Sequence, residues 1–323
     1  MVADLVHVWC RCHACGAQPI GGLRFECQTC PIGPDNDLCE RCYLALEQGQ
    51  VQHPMPGSFA QLARISSDRP HSFRSVAGRV RDASASWLTV PDAEATAPNF
   101  KPGFVVRPEF HSKRESFIGP YAFVVDGPPT FLLTALHVLG GLIQAKGIDC
   151  SSTNQTYSGR ELPAILTKVN LFDAFAPNWV LSDLGTAGPM LPLPDARIGE
   201  EEPFSQRDIA AFRIQQSAKV SPARLAQHPP RVGEPVWLVA KPEARQLARA
   251  IQAVVVEETE KTFVFRYKVL ECIPPHSSGA PLIDRQGEVV GINVGAGMLD
   301  GHYLGHASHV TTIRQYLRPW LTN

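Results

Sequence analysis

The amino-acid sequence predicts a mainly β protein that is preceded by a small cysteine-rich module. The β prediction rests on short runs of β-branched and aromatic residues between Gly and Pro, such as 235–239 (Pro-Val-Trp-Leu-Val), 253–256 (Ala-Val-Val-Val) and 262–265 (Thr-Phe-Val-Phe). Strands at this spacing, with few long helical periodicities, are typical of an antiparallel barrel or sandwich. The module is predicted because the cysteines are clustered: seven of the nine lie between Cys10 and Cys42.

The amino-acid composition and the net charge indicate which class of protein this is and which partners it is expected to lack. The 323 residues are 44% hydrophobic and 19% charged, which is typical of a soluble globular protein. A net charge of -1 gives no reason to expect nucleic-acid or membrane partners. Asp4 lies where a signal peptide would carry a base, and the apolar stretch 131–143 is too short to span a bilayer. These features predict a cytoplasmic protein.

The chain divides into three predicted parts. Residues 1–75 form the cysteine-rich module, and residues 76–103, rich in Ser, Pro and small residues, form a linker. Residues 104–323 form the β domain, which ends in a helix because residues 311–317 place apolar side chains at helical spacing.

The cysteines of the module form three pairs with two residues between the partners, and this spacing lets two thiolates hold one tetrahedral Zn²⁺. The pairs are Cys12 with Cys15, Cys27 with Cys30, and Cys39 with Cys42. Two closed sites would need two ligands more than the three pairs supply, and histidines are the obvious candidates. Because all ligands are then used, both ions are predicted to be structural, and no cofactor is predicted for catalysis.

The module resembles a ZZ-type zinc finger through His7, the run 19–25 before Cys27, and the segment 37–42. The resemblance implies one zinc held by Cys12, Cys15, Cys39 and Cys42. It implies a second zinc held by Cys27, Cys30, His53 and one further ligand. The family places its two histidines a few residues apart, whereas here His71 is the next histidine after His53. His71 is the preferred fourth ligand, with Cys10 and His13 as alternatives.

ZZ modules commonly bind protein tails, often through acidic side chains that hold a free N-terminus. Asp35 and Asp37 occupy the matching acidic stretch, whereas the acid usual in the first cysteine pair is replaced by His13 or Ala14. Two interpretations stay open: a module that binds a protein tail, and a purely structural one.

Three separated fragments of the β domain carry residues for nucleophilic catalysis. They are 134–137 (Thr-Ala-Leu-His), 207–210 (Arg-Asp-Ile-Ala) and 277–281 (Ser-Ser-Gly-Ala-Pro). A serine hydroxyl needs an imidazole to accept its proton, and the imidazole needs a buried carboxylate to fix its tautomer. The order His, Asp, Ser in a β-rich chain is a stronger signal than any of the three fragments alone.

With these fragments, the segment from about 104 to 321 resembles a chymotrypsin-like (trypsin-fold) serine protease. The high-temperature-requirement proteases offer the nearest local comparison, through 291–295 (Gly-Ile-Asn-Val-Gly). The resemblance implies two six-stranded antiparallel barrels with the active site between them. It implies His137 as general base, Asp208 as orienting carboxylate and Ser278 as nucleophile. Asp183 and Ser277 are the rivals of Asp208 and Ser278.

The resemblance also implies an oxyanion hole and a substrate pocket. The backbone amides of Ser278 and His276 would stabilise the tetrahedral intermediate, although the family usually has Gly at the second position. A side chain there is disfavoured if the loop needs a positive φ, which would leave the hole strained or collapsed at rest, whereas a different peptide orientation can also serve. Both states of the hole stay open. The residues expected to contact the substrate are Cys272, Asn293, Val294 and Gly295. An uncharged pocket favours a small or medium apolar side chain before the scissile bond.

Two functions from different classes follow. The first is a serine endopeptidase that cleaves protein substrates through an acyl-enzyme, with the zinc module recruiting targets or regulating activity. No Ile-Val-Gly-Gly-type start follows the linker, so activation by a newly cut N-terminus is not predicted. The alternative is a protease-like protein-binding module that has lost turnover, because of His276.

Overall fold

The structure is a computed structural model. It describes residues 5–7, 12, 14–17, 20–21, 23–27, 37–50, 73–76, 79–80, 90–92, 95–112, 116–139, 158–159, 162–164, 166–176, 181–197, 207–215, 218–241, 249–268, 277–299 and 302–321. The chain forms two compact units. The smaller comprises 1–85, 143–155 and 296–303, and the larger comprises 86–142, 156–295 and 304–323.

The N-terminal part of the smaller unit contains short strands and one helix. They are β1 (Leu5–His7), β2 (Ile20–Gly21), β3 (Arg24–Cys27), β4 (Asp37–Cys39), α1 (Glu40–Glu47), β5 (Phe73–Val76) and β6 (Arg79–Val80). The strands form two antiparallel sheets, ordered β2-β1-β6 and β4-β3-β5. Ile20 and Leu38 are fully buried here, and the ring of Phe25 stacks on Tyr43 at 3.9 Å. This core is small, so it needs a second source of stability such as a metal ion.

The larger unit begins with a closed barrel. Its strands and the short ones that flank it are β7 (Val105–Ser112), β8 (Ser116–Ile118), β9 (Ala122–Val125), β10 (Phe131–Thr134), β11 (Ser158–Gly159), β12 (Leu166–Asp173), β13 (Asp183–Met190), β14 (Leu193–Arg197) and β15 (Ala210–Ile214). The antiparallel order β12-β13-β15-β10-β9-β7 closes where β12 pairs with β7. β8 adds to β7 outside this ring, and β11 pairs with β14 separately.

A second closed barrel follows in the chain. Its strands are β16 (Pro235–Ala240), β17 (Arg249–Glu258), β18 (Thr262–Tyr267), β19 (Pro281–Ile283), β20 (Val289–Leu299) and β21 (His302–His309), followed by helix α2 (Val310–Leu321). The order around this barrel is β16-β17-β18-β21-β20-β19. The predicted mainly β fold with two six-stranded antiparallel barrels is therefore confirmed. Helix α2 contacts the first barrel through Arg213 of β15, whose guanidinium lies 5.4 Å from the centroid of the Trp320 ring. It also contacts β14, where the Tyr316 hydroxyl donates to the Asp195 carbonyl (3.0 Å).

Tyr121 joins the two barrels. Its hydroxyl donates to the backbone carbonyl of Lys241 (2.8 Å) and accepts from the Lys241 backbone N–H (3.1 Å), just after β16. Its own carbonyl accepts a hydrogen bond from the Thr134 hydroxyl (2.7 Å) at the end of β10. Since all these groups are buried, the bonds fix the end of β10 against the second barrel.

His309 immediately precedes α2 and is 2% exposed. Its Nδ1 accepts from the Thr311 N–H (3.4 Å) and contacts the Thr311 hydroxyl, while Phe263 packs edge-on against the ring. Burial lowers the pKa of His309 to about 4, because a charged ring would lose its hydration there. The ring is therefore neutral in the folded protein near pH 7.

Among the helices in the described ranges, none is both long and apolar enough to cross a membrane.

Candidate active site and metal site

The first barrel delivers His137 from the end of a buried strand. Strand β10 is apolar and fully buried until Thr134, and a single 3-10 turn over Leu136–Leu139 then carries His137. Strand β10 pairs with β15 so that Thr134 lies opposite Ala210. Asp208 lies two residues before Ala210, so this register brings it beside the turn that carries His137.

His137 and Asp208 make two hydrogen bonds with each other. The His137 backbone N–H donates to Asp208 Oδ1 (2.8 Å), and the ring Nδ1 lies 2.5 Å from Oδ2. The carboxylate is nearly fully buried, whereas 32% of the His137 side chain is exposed. A carboxylate can only accept here, so it favours the tautomer with the proton on Nδ1. The Nε2 atom on the other side of the ring is then free to accept a proton.

The pKa of His137 is raised. Burial acts to lower it, but the negative charge of Asp208 and its hydrogen bond to the ring act to raise it and prevail. The physical cause is that the neighbouring carboxylate stabilises the imidazolium form. An imidazole in this environment accepts a proton more readily than a free one does.

Ser278 lies in a tight turn before β19 that packs against the first barrel. Gly279 follows it with a φ of 82°, and a Cβ there would lie 2.3 Å from both Thr134 Oγ1 and the Tyr121 carbonyl oxygen. Only glycine fits this close approach. The turn therefore contacts the strand end that lies three residues before His137.

The Ser278 hydroxyl donates to the backbone carbonyl of Val294 on β20 (3.3 Å). No hydrogen bond joins Ser278 to His137 in the described part of the chain. The structure thus brings His137 and Asp208 into direct contact and sets the Ser278 turn beside them, with its hydroxyl directed at β20.

The two rival residues lie in different surroundings. Asp183 is exposed, and its carboxylate accepts from the Gly185 N–H (2.8 Å). Ser277 is 5% exposed, and its hydroxyl accepts from the side-chain amide of Asn293 (2.9 Å). Because of Gly188-Pro189, the segment that follows Asp183 has a sequence typical of a loop. It forms strand β13 instead, where the register shifts between Ala187 and Met190, and this bulge accommodates the proline.

The expected substrate-contacting residues divide into two groups. Val294 and Gly295 are half-buried on β20, and a Cβ on Gly295 would meet no atom of the described residues within 4 Å, so the space beside it is open among them. Asn293 is 1% exposed, and its side chain is directed at Ser277. Long-range strand pairing buries this side chain, which no local sequence pattern reveals, and contact of Asn293 with a substrate stays a prediction for its backbone. Cys272 and His276 lie outside the described residues.

Four cysteines of the module converge. The Sγ atoms of Cys12, Cys15, Cys39 and Cys42 all lie within 4.8 Å of one another, and those of Cys15 and Cys39 are 3.9 Å apart. Zinc–sulfur bonds of about 2.3 Å in a tetrahedron require sulfur atoms about 3.8 Å apart. The four thiols therefore fit one zinc ion. Of the second predicted site, Cys27 pairs with Phe73 in the β3–β5 ladder, while Cys30, His53 and His71 lie outside the described residues.

The thiols influence one another strongly. Burial acts to raise the pKa of Cys15, but hydrogen bonds from Ala17 and the neighbouring thiols outweigh it and lower this pKa to about 7. Burial, followed by the neighbouring thiols, raises the pKa of Cys42. Thiols packed around one point cannot all ionise without a cation, and a metal ion supplies that charge.

Asp37, one of the two acids expected to hold a free N-terminus, has a partner within the module. It is 5% exposed, and its carboxylate accepts from the Arg24 guanidinium at 3.2 and 3.3 Å. Asp35 lies outside the described residues.

Comparison with known proteins gives two family matches. The family model described as trypsin-like peptidase domain matches residues 121–292, more than half of the chain. The model of the ZZ-type zinc finger matches residues 7–55. Curated protein sequences give no match.

Solved structures of serine proteases are similar to this chain. The active form of the Rv3671c protease from M. tuberculosis is 16% identical, with 67% of this chain and 80% of that chain covered and a TM-score of 0.40. The thermostable serine protease AL20 from an extremophilic microorganism is 13% identical, with 69% and 99% covered and a TM-score of 0.47.

Proposed function

Because the chain belongs to the family of trypsin-like peptidase domains, we propose that it is a serine endopeptidase that cleaves protein substrates through an acyl-enzyme. The observation that carries this proposal is the pairing of His137 with the buried carboxylate of Asp208. A partly exposed imidazole, oriented by a buried acid and close to a serine turn, is the arrangement that activates a hydroxyl for attack.

In the proposed mechanism the Ser278 hydroxyl leaves the Val294 carbonyl and turns towards His137. Its oxygen attacks the carbonyl carbon of the scissile peptide, while its proton passes to Nε2 of His137. Asp208 stabilises the resulting imidazolium through the bond to Nδ1. The intermediate collapses as the C–N bond breaks and His137 returns the proton to the leaving amine. Water then cleaves the acyl-enzyme ester by the same steps in the same order.

The proposed oxyanion donors are the backbone N–H groups of Ser278 and His276. The Ser278 N–H has no acceptor among the described residues, which supports its assignment as one donor. Gly279 holds the turn that presents it, because the φ of 82° at this position directs the following chain away.

A fluorophosphonate probe tests the proposal, because it reacts only with a serine that is activated as a nucleophile. We expect the wild-type protein to be labelled and Ser278→Ala not to be. Ser182→Ala is the matched control, since Ser182 is exposed and lies beyond the site, and it should be labelled like the wild type. Labelling of Ser278→Ala would contradict the assigned nucleophile.

The bond from Ser278 to Val294 favours one other candidate, a catalytically silent protease-like module that binds proteins. In this state the nucleophile has a carbonyl acceptor rather than the imidazole. A wild-type protein that stays unlabelled with zinc bound and with candidate partners added would favour this function over the first.

The zinc module is proposed to recruit a protein target or to regulate the protease domain. Two structural zinc ions belong to this proposal, and the four converging thiols and the match to the ZZ finger support the zinc module itself. A cytoplasmic location is proposed with it. Because Asp37 is paired with Arg24, recognition of a free N-terminus has one acid fewer available than expected. Titration calorimetry with short peptides that differ at the N-terminus tests recruitment, and heat that is independent of the first residue would exclude N-terminal recognition.

A further inference from the structure

A buried side-chain amide binds the turn 277–280, here called the nucleophile turn because it carries Ser278. The proposed mechanism does not use this amide. Asn293 on β20 is 1% exposed, and its side-chain nitrogen donates to both the backbone carbonyl (3.0 Å) and the hydroxyl (2.9 Å) of Ser277. The two hydrogens of one amide group therefore both bind the residue before Ser278. Each acceptor is buried, so water does not replace these bonds if the amide is lost.

The backbone of Asn293 holds the other side of the same turn. Its N–H donates to the Ala280 carbonyl (2.9 Å), and its carbonyl accepts from the Gly279 N–H (2.8 Å). Ala280 also donates to the Ser277 carbonyl (3.0 Å), which closes the turn around Ser278. One residue thus binds the chain on both sides of the nucleophile.

The Ser277 carbonyl belongs to the peptide unit whose N–H is that of Ser278. Fixing this oxygen fixes the plane of the peptide, and with it the direction of the N–H that is proposed to stabilise the oxyanion. We propose that Asn293 is a positioning residue that orients the peptide between Ser277 and Ser278 for catalysis. The inference rests on the proposed peptidase function. In this inference the side chain of Asn293 orders the nucleophile turn. The turn therefore does not depend on a newly cut N-terminus.

Asn293→Asp tests the inference, because it keeps the volume of the side chain but replaces the donor by an acceptor that faces two acceptors. We expect its rate of fluorophosphonate labelling, per folded molecule, to fall by about 10²-fold, since a misplaced oxyanion donor affects the rate strongly. The pH at which labelling reaches half its maximum is compared for Ser277→Ala, which adds no charge, and it should stay as in the wild type because the His137–Asp208 pair is untouched. Asn170→Asp is the control, since the Asn170 amide binds Glu109 on the first barrel, and its labelling should stay unchanged.

Ser277→Ala keeps the carbonyl acceptor and removes only the hydroxyl. It should label about tenfold more slowly, as expected for one lost hydrogen bond, and it carries the test if Asn293→Asp does not fold. If either folded variant labels at the wild-type rate while its melting temperature falls, Asn293 is only structural and the inference is overturned. If the wild type is not labelled at all, the proposed function fails first, and the inference falls with it.

Discussion

The backbone of Gly279 lies against the side chain of Thr134, so closely that a Cβ at Gly279 would be 2.3 Å from Thr134 Oγ1. The first barrel provides Thr134 and the second provides Gly279, so this contact lies where the nucleophile turn meets the strand that delivers His137. The hydrogen bond from Thr134 to Tyr121 fixes the hydroxyl, so it cannot move aside without a loss.

Gly279→Ala should therefore abolish labelling by the probe and lower the free energy of unfolding by about 2–4 kcal/mol, from overpacking and from the positive φ together. Gly233→Ala is the matched control. Gly233 has a φ of 89°, but among the residues that the structure describes no atom lies within 4 Å of a Cβ there, so only the backbone cost of about 1 kcal/mol remains. Urea unfolding measures both, and equal losses in the two variants would contradict the steric explanation.

Labelling or hydrolysis should increase with pH as His137 loses its proton, because only the neutral ring can accept the proton of Ser278. The pKa of His137 is raised by Asp208, so the increase in the wild type should lie above pH 6.5. Asp208→Asn removes the negative charge, and the increase should then shift to lower pH. Its amide also faces Nδ1 with a donor, which favours the wrong tautomer, so the maximal rate should fall by about 10⁴-fold.

Asp183→Asn is the control for this charge change. Asp183 is exposed and binds only the nearby Gly185 N–H among the described residues, so its pH profile should match the wild type. A full pH–rate profile of the three proteins makes the comparison. An acid limb that does not move in Asp208→Asn would mean that His137 is not the titrating base.

The open space beside Gly295 predicts a role in substrate selection. Gly295→Val should leave the melting temperature close to that of the wild type, since no atom in the described part of the chain lies within 4 Å of the new Cβ. It should lower kcat/KM about tenfold for peptides with a large side chain before the scissile bond, relative to those with Ala. Gly291→Val provides the contrast, because its Cβ would lie 2.5 Å from the Ser308 carbonyl oxygen and should destabilise the barrel. Equal kcat/KM losses for large and small side chains would exclude selection by Gly295.

The buried His309 should make the protein less stable in weak acid. Its pKa is lowered to about 4, so between about pH 6.5 and 4 the unfolded chain binds a proton that the folded protein does not. Stability should fall as the pH falls through this window, by up to about 3 kcal/mol. His309→Asn keeps an acceptor for the Thr311 N–H and removes the titrating group. Urea unfolding at pH 7 and pH 4.5 should show a smaller loss in the variant, and an equal loss would assign the effect to other groups.

Removing one of the four converging thiols should remove one metal ion. We expect two zinc ions per wild-type chain and one for Cys39→Ser, measured by elemental analysis of the purified proteins. Cys150→Ser is the control, because Cys150 belongs to none of the three cysteine pairs in the sequence. An unchanged zinc content in Cys39→Ser would contradict the site formed by Cys12, Cys15, Cys39 and Cys42.

The barrels could be predicted because most of their strands correspond to local runs of apolar residues in the sequence. The run 262–265 lies within β18, and the helical spacing at 311–317 lies within α2, which extends from Val310 to Leu321. Strand β13 could not be predicted, because a bulge that depends on pairing with β15 lets Gly188 and Pro189 remain in the sheet.

The candidate site also has one part that the sequence predicts and one part that it does not. The pairing of residues 137 and 208 was signalled by short motifs, and the register between β10 and β15 produces it. The burial of Asn293 was not signalled, because its contacts with Ser277 and Ala280 join residues distant in the chain. Local patterns thus indicate which residues carry chemistry, whereas the supporting contacts arise only when strands pair.

The division of the site between two barrels has a consequence for synthesis of the protein. Translation that has reached residue 215 has produced every strand of the first barrel, with His137 and Asp208, but not Ser278. With the proposed roles, the nucleophile is the last of the three to emerge from the ribosome. A fragment released before residue 278 would therefore carry a base and its acid without the nucleophile, so synthesis interrupted before that residue would yield fragments without peptidase activity.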